Sequence, residues 1–197
     1  MGEDRAGAGR LNSMRRAVFL DRDGVLNRAI VREGRPSAPR TLAEFEIEPQ
    51  AADVLPALRA AGFLLIVVTN QPDVARGRVG RGVVEAMHRR LQAELPLDDI
   101  KVCWDADGPT NPCYKPKPGL LLDAARERGI DLGRSFMVGD RWRDVGAGRA
   151  AGCFTVLVDR AWAEPLTEPP DAVCADLAGA AAIILGHAHR PCEGEPP

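Results

Sequence analysis

Ala17-Val18-Phe19-Leu20-Asp21-Arg22-Asp23-Gly24-Val25-Leu26-Asn27 runs four apolar residues straight into two aspartates spaced two apart, with glycine next. An unbroken apolar run of this length reads as a strand buried on both faces of a parallel sheet. In open α/β sheets, ligands sit beyond the carboxyl ends of the strands, and Asp21 and Asp23 fall there. Gly24 lets the chain turn away without putting a side chain into that space.

Two carboxylates this close repel each other unless a cation or a shared proton relieves them. Oxygen-only ligands suit a hard cation such as Mg²⁺, which keeps several waters and also holds substrate phosphate. One carboxylate can attack phosphorus, as in aspartyl-phosphate enzymes. The other can carry the proton of the leaving group. A plain strand-end turn also favours Asp and Gly, so the rest of the chain has to decide.

A chain of 197 residues is long enough for one domain with a full core. A formal net charge of -2 argues against nucleic acid as a partner. No apolar run approaches the length needed to span a bilayer, and Met1-Gly2-Glu3-Asp4-Arg5 lacks the apolar core of a signal peptide. A cytoplasmic monomer with no membrane partner is expected. Five cysteines, an odd number at irregular spacings, argue against a disulfide framework.

Residues 1–13 carry Gly, Ala and charge without periodicity and are expected to form a disordered tail. One domain is expected over 14–186. After the first strand, the segment from Arg28 to Arg40, with Arg32 and Arg35 between them, reads as an exposed loop or small flap near the strand ends. Ala51, Val54, Leu55, Leu58 and Ala61 follow helical spacing, with Gly62 at the end, although Pro56 conflicts with a regular helix. Phe63 to Val68 is a second buried strand that delivers Thr69-Asn70-Gln71, groups able to donate to a phosphate oxygen. Val84, Met87, His88, Leu91 and Leu95 mark another helix, and Ile100 to Trp104 a third strand. In Tyr114-Lys115-Pro116-Lys117-Pro118-Gly119 the prolines pre-set the backbone, so a lysine ammonium can be held in place to clamp a phosphoryl group.

A helix over Leu120–Arg128 closes at Gly129. Ser135 to Asp140 is a fourth strand ending in Gly-Asp. Arg141 to Asp144 reads as a turn before a helix from Val145 to Ala151. Phe154 to Asp159 is a fifth strand, Ala172 to Cys174 a short edge strand, and Leu177 to Leu185 a last helix. Residues 187–197 are expected to be a loose tail; His187, His189 and Cys192 then lack the folded frame a metal site needs.

Alternating strands and helices predict a doubly wound parallel α/β sheet, Rossmann-like, with a single domain. Asp21/Asp23, Thr69/Asn70 and Asp140 lie at three strand ends, and Lys115 comes from a loop before the fourth. The strand-end rule gathers them on one edge.

Asp21-Arg22-Asp23-Gly24-Val25, Thr69-Asn70-Gln71, Lys115-Pro116 and Gly139-Asp140 resemble the four motifs of the haloacid dehalogenase-like phosphatases, over roughly residues 17 to 160. Within them, the longer runs Asp21 to Asn27, Thr69 to Gly77, Lys115 to Gly119 and Met137 to Arg141 look most like the branch that dephosphorylates heptose 1,7-bisphosphate or histidinol phosphate. The resemblance implies that Asp21 is the nucleophile and a Mg²⁺ ligand. It implies that Asp23 is the general acid/base and offers its backbone carbonyl to the metal, and that Asp140 is the second metal carboxylate. Thr69 and Lys115 would stabilise the transferring phosphoryl group. Arg22, Asn70 and Arg141 would contact substrate, and Asp144 would orient the metal's waters. The substrate implied is a phosphorylated sugar, with heptose 1,7-bisphosphate first. Histidinol phosphate, another small metabolite, or a phosphate-binding module without turnover are the alternatives.

Two departures stand out. The family often carries a Cys-x-His…Cys-x-Cys zinc loop; here Cys103 and Cys113 match, but Asp105 and Asn111 replace two ligands, so zinc is not expected. The family's Thr-Asn-Gln-Ser-Gly is Thr69-Asn70-Gln71-Pro72-Asp73. Pro72 has no N–H to offer a phosphate, and Asp73 adds negative charge beside an anionic substrate. With no large insertion after the first strand, little or no cap domain is expected.

Overall fold

The computed structural model describes residues 14–108 and 110–188. Chain order is β1 (Arg16–Leu20), β2 (Ile30–Arg32), β3 (Arg35–Ser37), α1 (Pro49–Ala60), β4 (Phe63–Asn70), α2 (Pro72–Ala75) and α3 (Arg81–Glu94), then β5 (Asp99–Cys103), α4 (Gly119–Arg128), β6 (Phe136–Gly139), α5 (Trp142–Ala151), β7 (Phe154–Val158), β8 (Ala172–Cys174) and α6 (Leu177–Ala188). Six strands form one sheet in the order β5-β4-β1-β6-β7-β8, every neighbouring pair parallel. Counting only those six, this is the 3-2-1-4-5-6 order of doubly wound folds, and the order reverses beside the first strand, where such sheets bind ligands.

Period-two alternation in the central strands splits the core in two. Val18, Leu20, Leu65 and Val67 face one side with Leu55, Leu58, Met87, Leu91 and Ile184. Ala17, Phe19, Leu64, Ile66 and Val68 face the other with Leu121, Ala124 and Ala147. Helices α1, α3 and α6 therefore cover one face, and α4 and α5 the other. Burial of both faces is why β1 and β4 read as continuous apolar runs rather than alternating ones.

Registry fixes the site. Leu20 lies beside Val67 and Val138, and the Asp21 N–H donates to the Val138 carbonyl at 2.9 Å. Asp21, Thr69 and Asp140 thus leave three adjacent strands at one edge. Helix α1 runs through Pro56, whose missing N–H had argued against it. Gly62 and Gly129 stop α1 and α4 with φ of 88° and 63°. The Arg28–Arg40 segment is a two-stranded hairpin, β2 with β3, so the cap is no more than a flap.

Two boundaries differ from expectation by three residues. Helix α5 begins at Trp142, because Asp144 at its third position accepts the Arg141 N–H at 3.1 Å and caps the first turn. Helix α6 continues to Ala188, into the expected loose tail. His187 accounts for this: its ring lies 4.4 Å from the Phe154 ring, centroid to centroid, with Phe136 at 6.0 Å. The expected tail over 1–13, together with His189 and Cys192, lies outside the described residues.

Candidate active site

Asp21 and Asp140 follow the ends of β1 and β6, and Asp144 sits in the first turn of α5. Asp21, Asp140 and Asp144 are all buried and bring one carboxylate oxygen each to within 4.8 Å of one another. Lys115 enters from the loop before α4. Its Nζ donates to Asp21 Oδ1 at 2.7 Å, to Asp144 Oδ1 at 2.6 Å and to the Val68 carbonyl at 2.8 Å. One ammonium among three carboxylates leaves a deficit of positive charge in a buried place.

The electrostatics follow. Burial pushes the Asp21 carboxyl up to about 6, Lys115 pulls it down, and Asp144 and Asp23 push it up again. Asp140 is raised well above the ordinary carboxylate range, first by burial and then by Asp21 and Asp144; the Trp162 hydrogen bond opposes the rise. Burial works against the charge on Lys115, but Asp144 and Asp21 outweigh it and hold the ammonium above its ordinary value. Groups kept from ionising by burial and by like charges are groups a cation would release. Asp140 Oδ1 is buried with no hydrogen-bond partner among the described residues. A hard divalent cation fits this cluster, because all three groups offer carboxylate oxygens.

Two glycines make room. A Cβ on Gly24, which has φ +91°, would sit 2.1 Å from Asp140 Oδ2, and one on Gly139 would sit 2.0 Å from Asp144 Cβ. Asp23 accepts from Arg22 through Nε at 3.2 Å and Nη2 at 2.9 Å, from Asn27 at 3.1 Å and from Gln71 at 2.9 Å. Gln71 Nε2 also lies 2.9 Å from the Thr69 hydroxyl. Asp21, Asp23, Thr69 and Lys115 line a cleft of about 660 Å³ whose outer wall includes Arg32, Arg40, Arg76, Arg78, Arg141 and Arg143.

The comparisons agree with this geometry. A family model described as HAD-hydrolase-like matches residues 112–180. D-glycero-β-D-manno-heptose-1,7-bisphosphate 7-phosphatase of Pseudomonas aeruginosa is 35% identical, over 87% of this chain and 98% of its own. D-glycero-D-manno-heptose-1,7-bisphosphate 7-phosphatase of Thermosynechococcus vestitus is 33% identical, over 88% and 97%. The chain belongs to the haloacid dehalogenase-like phosphatases. A solved member of the family is D,D-heptose 1,7-bisphosphate phosphatase from B. bronchiseptica, described as complexed with magnesium and phosphate. It is similar with a TM-score of 0.74 and 30% identity, covering 87% of this chain and 99% of that one.

Within this haloacid dehalogenase-like chain, Asp21, Asp23, Thr69, Lys115 and Asp140 come together as the motifs implied. Arg22 does not reach the cleft. It is fully buried, with a bidentate pair to Asp23 and Nη1 at 3.0 Å from His88 Nε2, so it holds Asp23 rather than substrate. Its immediate neighbour in sequence supplies the counter-charge that lets an arginine be buried at all. Asn70 lines the cleft, yet its amide is taken by Lys115: Nδ2 donates to the Lys115 carbonyl at 3.2 Å and Oδ1 accepts the Lys115 N–H at 3.1 Å. Asp144, expected to orient the metal's waters, accepts from Lys115 directly at 2.6 Å. Arg141 lines the cleft and is paired with Glu164, Nε to Oε2 at 2.9 Å.

The degenerate zinc loop closes differently. Cys103 and Cys113 are joined as a disulfide across a separation of 10 residues, one local link and not a framework. Asn111 Oδ1 accepts the Cys113 N–H at 3.1 Å and its Nδ2 donates to the Ala106 carbonyl at 3.2 Å. Asp105 is exposed. An amide bound into the loop backbone and an outward carboxylate do not complete a tetrahedral zinc set, so the residues do not fit that metal.

The sequence points to Gln71 as a donor at the strand end, but not to its contact with Asp23, and it places His88 on a helix stripe without its Arg22 partner. Trp162 and Glu164 lie on a loop and carry no signal in the sequence.

Proposed function

We propose that the chain is a Mg²⁺-dependent phosphatase that passes a phosphoryl group through Asp21, with D-glycero-D-manno-heptose 1,7-bisphosphate as substrate and heptose 1-phosphate as product. The observation that carries it is the buried Asp21/Asp140/Asp144 cluster, with Lys115 paired to Asp21 and Asp144. The names of the relatives favour the substrate.

Asp21 attacks phosphorus; its new oxygen–phosphorus bond forms as the bond to the sugar oxygen breaks. The leaving group is an alkoxide, a strong base, so it needs a proton as it departs. Asp23 gives that proton and then takes one from the water that hydrolyses the aspartyl phosphate. Arg22, Asn27 and Gln71 hold the Asp23 carboxylate in one place for both steps. Lys115 and the Thr69 hydroxyl face the charge that builds on the phosphoryl oxygens. Asp21, Asp140 and the Asp23 backbone carbonyl would hold the metal, with Asp144 beside it. Bound there, Mg²⁺ supplies the positive charge the cluster lacks and stabilises the transferring group. A cleft roofed by a hairpin rather than a cap domain, with arginines along its outer wall, suits an extended phosphorylated sugar.

The substrate is tested by phosphate release from both anomers of heptose 1,7-bisphosphate, histidinol phosphate and hexose phosphates. The reading expects one heptose anomer to lead by at least about tenfold in kcat/KM, a difference of about 1.4 kcal/mol. A lead for histidinol phosphate overturns the heptose assignment while leaving the chemistry in place.

A further inference from the structure

The two oxygens of Asp140 have different surroundings. Oδ2 accepts the indole N–H of Trp162 at 2.6 Å and fills the space that only glycine leaves at position 24. Oδ1 has no partner among the described residues, although Asp140 is only 4% exposed. A buried polar atom left bare is costly unless something from outside the chain meets it.

Trp162 belongs to the loop after β7, and that loop touches the site at three alternate residues. Arg160 Nε donates to the Gly24 carbonyl at 3.0 Å, and its Nη2 donates to Glu48 at 3.1 Å. Trp162 reaches Asp140. Glu164 pairs with Arg141. Ala161, between the first two, adopts φ 55°, a left-handed conformation that a non-glycine residue keeps only where its surroundings impose it. The loop holds the backbone behind Asp23, one metal carboxylate and one cleft arginine at once, and none of the family motifs includes it.

We propose that Trp162 is a positioning residue: by fixing Oδ2 of Asp140 it presents Oδ1 to the divalent cation, while Glu164 fixes Arg141 for the substrate. The inference rests on the metal reading above. Hydrogen bonds from outside the ligand set orient ligating carboxylates, and losing one typically lowers metal affinity 10- to 100-fold. Phe at 162 keeps the ring and removes the N–H, so it separates hydrogen bonding from packing.

Calorimetric titration of Mg²⁺ into substrate-free protein measures the effect without turnover. Trp162→Phe is expected to raise the Mg²⁺ Kd about tenfold and to leave KM at saturating Mg²⁺ unchanged. Glu164→Gln is expected to do the reverse, raising KM and leaving the Mg²⁺ Kd unchanged. A purely structural loop would move both quantities in both variants, and that pattern overturns the proposal. So does an equal Mg²⁺ Kd in Trp162→Phe and wild type. Wild-type protein that binds no Mg²⁺ overturns the metal reading, and this inference with it. If Trp162→Phe does not fold, Trp104→Phe with Trp142→Phe leaves Trp162 as the sole indole of the three tryptophans. Its emission then changes with Mg²⁺ at the calorimetric Kd; emission unmoved by saturating Mg²⁺ overturns the proposal.

Discussion

Lys115 Nζ lies 2.7 Å from Asp21 Oδ1, two buried groups 94 residues apart in sequence. The same nitrogen holds Asp144, so one cation ties the end of β1 and the first turn of α5 to the loop before α4. Removing it strands carboxylates in the interior. Lys115→Met is expected to destabilise the protein by about 3 kcal/mol at pH 7.5, within the range for breaking a buried pair. The loss shrinks at pH 5, where the stranded carboxyls take up protons. Urea denaturation at both pH values measures it. Phosphate release is expected to fall at least about a hundredfold. An equal stability loss at both pH values contradicts the buried pairing.

Asp21 gives the second prediction. Its carboxyl is pushed up to about 6, mainly by burial. A raised carboxyl stabilises the fold fully below the ordinary carboxylate range, and that contribution is lost as pH rises through about 6. Mg²⁺ needs the ionised form, so its affinity weakens below pH 6, by up to about tenfold per pH unit for one displaced proton. Titrations from pH 5 to 7.5 in buffers of different ionisation enthalpy report the affinity and the proton released. A Kd flat across that range contradicts the raised carboxyl.

His88 behaves in the opposite sense. Burial and the Arg22 charge push it down to about 4, with Asp23 opposing. Its contribution is fully present above about pH 6.5 and is lost as pH falls from there to about 4, by no more than about 3 kcal/mol. His88→Gln can still accept from Arg22 but cannot titrate. Its stability is expected to fall less than wild type over that window in thermal melts. Parallel curves for the two proteins contradict a neutral, buried His88.

Asp73 concerns the substrate. It faces Arg78 at 3.3 Å, Arg40 at 3.5 Å and Arg76 at 3.6 Å, so it already engages arginines at the cleft mouth. These arginines are partly exposed and screened by salt. Asp73→Asn is expected to lower KM for a bisphosphate severalfold at low salt and to leave kcat unchanged. A KM that rises instead means Asp73 orders these arginines for the substrate.

Much of this was legible because the sheet interior writes long apolar runs. Phe63 to Val68 and Ala17 to Leu20 are buried on both faces, and polar residues follow at once, so strand and site came from one pattern. An arginine in a motif ordinarily reads as exposed; only tertiary contact shows Asp23 and His88 burying Arg22. Arg141 to Asp144 looked like a turn, since charged residues and tryptophan hide a helix start that Asp144 itself caps. The Trp162 loop lies 22 residues from Asp140, with neither periodicity nor motif to connect them. His187 extends α6 through ring packing that a sequence pattern does not record.

The most direct test is inorganic phosphate release from heptose 1,7-bisphosphate by wild type and Asp21→Asn, each with Mg²⁺ and with EDTA. The account predicts release by wild type with Mg²⁺ alone, and a loss in Asp21→Asn of at least about three orders of magnitude at every metal concentration. Asp21→Asn turning over near the wild-type rate, or wild type indifferent to EDTA, contradicts it.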